Sequence, residues 1–166
     1  GSTDMFLKVL NAYDWEFCQI QYNYMDEHSQ AGRRGLTAAH EKGIPVIIME
    51  PLRGGRLANR LPKSALDLIA QNSRGYTAPE WSLRWLWDQE AVTCVLSGMN
   101  SIETIDENLK SAATAHVGSF TDADFAFIRD LKAEISAKTR VGCTGCSYCM
   151  PCPHGVEIPG TVRCLN

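Results

Sequence analysis

The sequence predicts an α/β chain built on parallel strands, and three observations predict it. Three apolar runs of strand length, at residues 17–22, 45–49 and 92–96, alternate with segments of helical periodicity. The middle run, Pro-Val-Ile-Ile-Met, is continuously apolar, as suits a strand covered on both faces of a parallel sheet. The elements succeed one another as helix, three strand–helix units and a further helix, an order that implies right-handed crossovers. Three strands make a poor sheet by themselves, and the pattern opens with a helix feeding a strand. The expectation is a portion of a larger parallel structure.

Each element has its own signals. Residues 3–13 place Phe6, Leu7, Val9 and Leu10 behind Thr3, which is expected to be the N-cap. After the first strand a polar stretch, 23–30, leads to a helix from about 32 to 42, which Gly43 ends. The second strand runs into Glu-Pro-Leu-Arg-Gly-Gly-Arg at 50–56, a loop, and then a helix at about 63–70. The next helix opens at Thr77, with Pro79 in the first turn and Glu80 completing a capping box. It carries Trp81 and Trp85 one turn apart. The third strand gives way to a loop at 97–100 and a helix from 101 to about 113. Thr121 with Asp124 opens a long helix to about 138. There is no internal repeat and no low-complexity tract.

The 166 residues are 45% hydrophobic and 21% charged, with a formal net charge of −3. This is a globular composition. Mild acidity without a Lys/Arg run argues against a nucleic-acid partner. No apolar run approaches the roughly 18 residues of a membrane span, and no signal-peptide pattern opens the chain.

Seven cysteines are unevenly placed. Cys18 and Cys94 sit alone in apolar runs and are expected to be buried thiols. Cys143, Cys146, Cys149 and Cys152 recur at three-residue steps in Cys-Thr-Gly-Cys-Ser-Tyr-Cys-Met-Pro-Cys-Pro, with Cys164 trailing. Without a secretory signal such a cluster favours metal over disulfides, and with it a reducing, cytoplasmic setting. The first three follow the bacterial ferredoxin spacing for a 4Fe-4S cluster, while Cys152-Pro153 arrives one residue early. Zinc is the competing metal, although its structural sites usually separate two C-x-x-C knuckles by a longer loop.

Functional groups of parallel α/β structures gather at the carboxyl ends of strands. The first end offers Gln19, Gln21, Tyr22 and Asn23, which also fit a plain strand end with satisfied amides. The second offers two glycines that let the backbone approach a ligand, and Arg53 and Arg56, which could meet an anion; a simple turn explains them equally. At the third, Gly98 precedes a helix whose first turn has free N–H donors for a phosphate, with Glu107 and Asn108 two turns on. An exposed capped helix is the alternative.

Taken together, Phe-Cys-Gln-Ile-Gln-Tyr-Asn at 17–23, Gly-Ile-Pro-Val-Ile-Ile-Met-Glu-Pro-Leu-Arg-Gly-Gly at 43–55, Trp-Ser-Leu-Arg-Trp at 81–85, Ser-Gly-Met at 97–99 and Glu-Asn-Leu at 107–109 resemble the aldo/keto reductases. With the cysteine segment, the chain is most similar to the bacterial branch of that family that carries a C-terminal iron–sulfur segment. The resemblance implies the C-terminal part of a (β/α)8 TIM barrel, its sixth to eighth strands, followed by a ferredoxin-like segment. Residues 1–118 would be barrel, 119–140 a connecting helix and 141–166 an incomplete 4Fe-4S segment. It further implies NADP or NAD as cofactor. Gln19 would contact the nicotinamide, and Pro51, Leu52, Arg53 and Gly54 the pyrophosphate. Gly98 would hold the adenosine phosphate end, with Glu107 and Asn108 near the adenine. Met49 stands where many members stack an aromatic ring.

Two departures from the family pattern bear on function. Where many members carry Lys and Arg for the 2′-phosphate of NADP, this sequence has Gly98 and Thr104. The family's catalytic Asp, Tyr, Lys and His lie on the early strands, and no residue here occupies a matching position. Tyr22, Tyr24, Tyr76 and Tyr148 do not, and His28, His40, His116 and His154 are expected to be surface or local structural residues. No catalytic residue is assigned. The expected function is that of a part of an oxidoreductase passing a hydride between the cofactor and a small carbonyl or alcohol. An electron-transfer partner and self-association through open sheet edges are further expectations. The alternative is a non-enzymatic metal-binding or electron-transfer module on a barrel remnant.

Overall fold

The computed structural model describes residues 2–143 and 147–165. Strands β1 (Cys18–Gln21), β2 (Val46–Met49) and β3 (Cys94–Val95) form one parallel sheet in the order β1-β2-β3. The ladder runs slightly past the strand ends, with Cys18 N–H donating to Pro45 O at 2.9 Å and Leu96 N–H to Ile48 O at 2.9 Å. Paired residues share a face. Ile20, Ile48 and Val95 therefore point one way with Val46, while Gln19, Ile47 and Cys94 point the other way with Met49. Val46 and Ile48 are fully buried, whereas Ile47 and Met49 are only half-buried. Among the described residues the two-sided cover expected of 45–49 is found on one face.

Two helices meet the sheet directly, α2 (Gly32–Glu41) at β1 and β2 and α5 (Ala78–Trp87) at β3. In α1 (Thr3–Leu10) the cap is Ser2, not Thr3: Ser2 has the extended backbone an N-cap needs, and its Oγ accepts from Met5 N–H at 3.3 Å. The Thr3 hydroxyl instead donates to Gln30 O at 2.6 Å. α1 lies close against α2 (Gly32–Glu41) at Gly35, where a Cβ would come within 2.9 Å of the Phe6 ring. Glu27, on the loop before α2, pairs with Arg33 on α2 and with Lys132 further along the chain. Burial opposes its ionisation, but those hydrogen bonds prevail and hold the carboxyl below its ordinary range.

A short helix without a sequence expectation, α3 (Arg56–Asn59), begins at the last residue of the expected loop, and α4 (Lys63–Gln71) follows. The capping box expected at Thr77 and Glu80 opens α5 (Ala78–Trp87). Trp81 and Trp85 are both buried there. Trp85 packs on Tyr22 with centroids 5.2 Å apart, and Trp81 on Phe127 at 4.5 Å. Then come α6 (Ile102–Thr114), α7 (Asp122–Lys138) and α8 (Ile158–Leu165), the last of which had no sequence signal. α7 buries Ile128, Leu131 and Ile135 and packs on α4, so it belongs to the same core as the sheet. Among the described residues no helix is long and apolar enough to cross a membrane.

Two thiols depart from expectation. Cys94 is exposed and Cys18 half-buried, because Cys94 points to the less covered side of a strand only two residues long. Desolvation still raises the Cys18 thiol pKa.

Asp124 closes a second capping box with Thr121 and also receives the side chain of Arg74, whose Nε donates to Oδ1 at 2.9 Å. Arg74 first, and then the Thr121 N–H and hydroxyl, hold the carboxyl at about 2. A carboxyl depressed in the fold adds stability above its ordinary value of about 4 and loses it as pH falls toward 2. Substituting Arg74→Gln is therefore expected to cost on the order of 1–2 kcal/mol at pH 7, allowing for the solvent around the arginine. The gap between wild type and variant should close by about pH 2, measured by urea denaturation across that range.

Candidate functional site

The chain crosses the carboxyl end of β2 in an unusual conformation. Glu50 and Arg53, neither of them glycine, have φ of 52° and 51°, and Gly54 and Gly55 follow at 63° and 81°. Four left-handed residues within six positions need external support, since each non-glycine one is disfavoured. Support comes from the end of β1. Asn23, fully buried, donates from Nδ2 to Glu50 O at 3.1 Å and to Asp26 Oδ2 at 3.1 Å. The same Asp26 oxygen accepts from Gln21 Nε2 at 3.1 Å and lies 3.1 Å from Arg53 Nε. Within the loop Arg53 N–H donates to Glu50 O at 3.0 Å. Buried Pro51 and Leu57 anchor its two sides.

At the carboxyl end of β3, Ser101 caps α6 by accepting from Thr104 N–H at 3.2 Å. Asn108 donates from Nδ2 to Ser97 Oγ at 3.0 Å, which ties the second turn of α6 to the strand-end loop. The carboxylate of Glu103 takes its own backbone N–H and the Ser101 hydroxyl, and both lower its pKa. The first turn of α6 is thus partly occupied by a negative charge of its own.

These two loops and α6 enclose a cleft of about 680 Å3, within the usual range for small-molecule sites. Of the residues singled out in the sequence, Pro51, Leu52, Gly54, Gly98, Glu107 and Asn108 all line it, and Met49 stands at its edge. Thr104 lines it as well; Asn59, Pro79 and Asn100 line it without having been singled out. Gly98 leaves open space where a Cβ would project. Arg53 contributes backbone to the loop, but its side chain turns to Asp26 and toward a different cleft. Gln19 lies on the neighbouring side: its Nε2 is 3.2 Å from Met49 Sδ, and it lines a second cleft of about 360 Å3 beneath α1. Met49 and Glu50 line both clefts, so the two adjoin.

Tyr22 and Tyr24 are buried in the core, and burial pushes both phenols well above their ordinary range. Neither lines the cleft. All four histidines are exposed. Among the expected metal ligands, Cys146 lies outside the described residues. Cys143 and Cys152 are half-buried and Cys149 is exposed. Among the described residues no three His, Cys, Asp or Glu side chains gather as a metal-binding group.

Parallel strands whose carboxyl ends meet a glycine turn and a helix start are the arrangement of α/β barrel folds. The chain belongs to the aldo/keto reductase family, whose model matches residues 7–132. No curated protein sequence matches it. Among solved structures it is similar to an aldo-keto reductase from Bacillus halodurans, known in apo and holo forms, with 18% identity and a TM-score of 0.61. It is also similar to an aldo-keto reductase from Klebsiella pneumoniae in complex with NADPH, with 19% identity and a TM-score of 0.58. The alignments cover 78% and 86% of this chain but 48% and 49% of the others, so the chain spans about half their length. At these identities the likeness is one of fold.

The support given by Asp26 leads to a direct test. Asp26→Ala would leave Arg53 without its carboxylate, the buried Gln21 amide without its acceptor, and the Asn23 amide with Glu50 O alone. The expected loss is about 2–3 kcal/mol of unfolding free energy. A change under about 0.5 kcal/mol in chemical denaturation, the scale of an ordinary surface substitution, would show that the loop holds its shape without Asp26.

Proposed function

We propose that the cleft between the β2 and β3 loops binds NAD or NADP, and that the chain is part of an oxidoreductase that passes a hydride between this cofactor and a small carbonyl or alcohol. The observation that carries the reading is the convergence of Pro51, Leu52, Gly54, Gly98, Glu107 and Asn108, from three separate segments, on one cleft. Family membership supports the same reading.

The residues present suit the cofactor. The 50–55 turn brings backbone close to where a pyrophosphate would lie, Gly98 leaves room beside it, and Asn108 offers an amide to the adenosine end. When bound, the cofactor supplies hydride chemistry. The chain's part is to fix its position through a loop that Asn23 and Asp26 hold rigid. In this reading β1, β2 and β3 are the sixth to eighth barrel strands. The acid that protonates a developing alkoxide is then not among these residues, and the 166-residue chain alone is expected to be inactive.

The charge of the cleft favours NAD over NADP. It is lined by Glu50 and Glu107 and, among the described residues, by no Lys or Arg, while Glu103 occupies the first turn of α6. A 2′-phosphate would meet carboxylates where it needs cations.

Fluorescence titration of the chain with NADH and NADPH tests both statements. Saturable binding is expected, with NADH at least as tight as NADPH, and Gly98→Leu should weaken it about tenfold or more by filling the cleft. No saturable binding would favour the non-enzymatic module. NADPH binding more tightly than NADH would refute the charge argument.

The cysteine run is proposed to hold an iron–sulfur cluster once Cys146 joins Cys143, Cys149 and Cys152. The spacing of Cys143, Cys146 and Cys149 supports this, and Cys152, one residue early, would be the fourth ligand. Anaerobically purified protein should contain about four irons and four sulfides per chain; zinc without sulfide would contradict the assignment.

A further inference from the structure

A third cleft, of about 240 Å3, opens on the other side of α3, between that helix, α7 and α8. Arg56 and Arg60 come to it from α3 and its C-terminal cap, Lys138 from the end of α7, and Arg163 from α8. Its walls are Leu57, Leu61, Pro62 and Ile135, and no carboxylate lines it among the described residues. Arg53 also borders it, but Asp26 already balances that charge.

The other four cations are not balanced in this way. Among the described residues none of Arg56, Arg60, Lys138 and Arg163 forms an ion pair, although seven other ion pairs occur. Arg56 donates to the carbonyl of Cys143, a neutral acceptor. Arg163 has the Glu157 carboxylate nearby across Gly160, yet the two do not reach ion-pair distance. Four cations from three helices converge in a chain whose formal net charge is −3. Apolar walls of low dielectric focus their field into the cleft. Such convergence is unfavourable until an anion fills it, and guanidinium forks match the oxygens of phosphate groups.

We propose that this cleft is a binding site for a compact oligophosphate, of the pyrophosphate or bisphosphate class. A concave site of this volume suits a small ion better than a protein surface, and four cations call for more than one negative charge. The site is separate from the dinucleotide cleft and does not depend on it: α3 stands between them, and Arg60, Lys138 and Arg163 line only the cationic one.

The test is isothermal titration of the full 166-residue chain with pyrophosphate at fixed ionic strength. Saturable binding is expected. In an Arg60→Ala/Arg163→Ala double variant it should weaken about tenfold or more, since two charge-assisted contacts are removed. Lys138→Gln should weaken it less, and NADH binding should be unchanged in either variant. Both side-chain sets are exposed, and thermal unfolding without anion confirms that the variants are folded. The proposal is overturned if wild type shows no saturable heat, if chloride of matched ionic strength reproduces the response, or if the folded double variant binds pyrophosphate as wild type does. Binding only of an acidic protein would likewise overturn it.

Discussion

The carboxylate of Asp26 organises the carboxyl end of the sheet. Two amides and one guanidinium converge on a single oxygen, and the Asn23 amide that reaches it also grips the carbonyl of Glu50. Through that pair of contacts the end of β1 dictates the backbone after β2. Left-handed conformations at Glu50 and Arg53 would relax if unsupported. Held in place, they turn the chain sharply, set Gly54 and Gly55 at the rim of the cleft and start α3 at Arg56. A rigid loop is what a cofactor site requires, because ordering it beforehand lowers the cost of binding.

The same constraint separates charge. By drawing the Arg53 side chain inward, Asp26 leaves the cleft proposed for the dinucleotide to Glu50, Glu107 and neutral groups. The cations that follow it in sequence, Arg56 and Arg60, turn to the far side of α3. One four-residue helix thus divides an acidic-to-neutral cleft from a basic one. The division underlies both the expected preference for NAD and the proposed oligophosphate site.

Much of this was legible in the sequence where local chemistry is decisive. The three strands, the capping box at Thr77 and the helix start at Thr121 rest on apolar periodicity and cap residues, while the grouping of Gly54, Gly98, Glu107 and Asn108 came from the family resemblance. What escaped depended on contacts distant along the chain. α3 exists because buried Leu57 and left-handed Gly55 stabilise one turn that has no helical periodicity. Arg53 looked like an anion ligand because nothing local reveals Asp26 as its partner, 27 residues earlier. Cys94 looked buried because an apolar run does not reveal which side of a strand remains less covered. The basic cleft joins residues from 56 to 163 and has no sequence signature at all.

Hydrogen–deuterium exchange with and without saturating NADH tests the central claim most directly, that a loop fixed from β1 forms one wall of a dinucleotide site. Slowed exchange is expected at the amides of residues 52–55 and 97–104 when NADH is added, with no change at 147–165. Protection confined to the segment beneath α1, or no protection at either strand-end loop despite saturable binding, would contradict it.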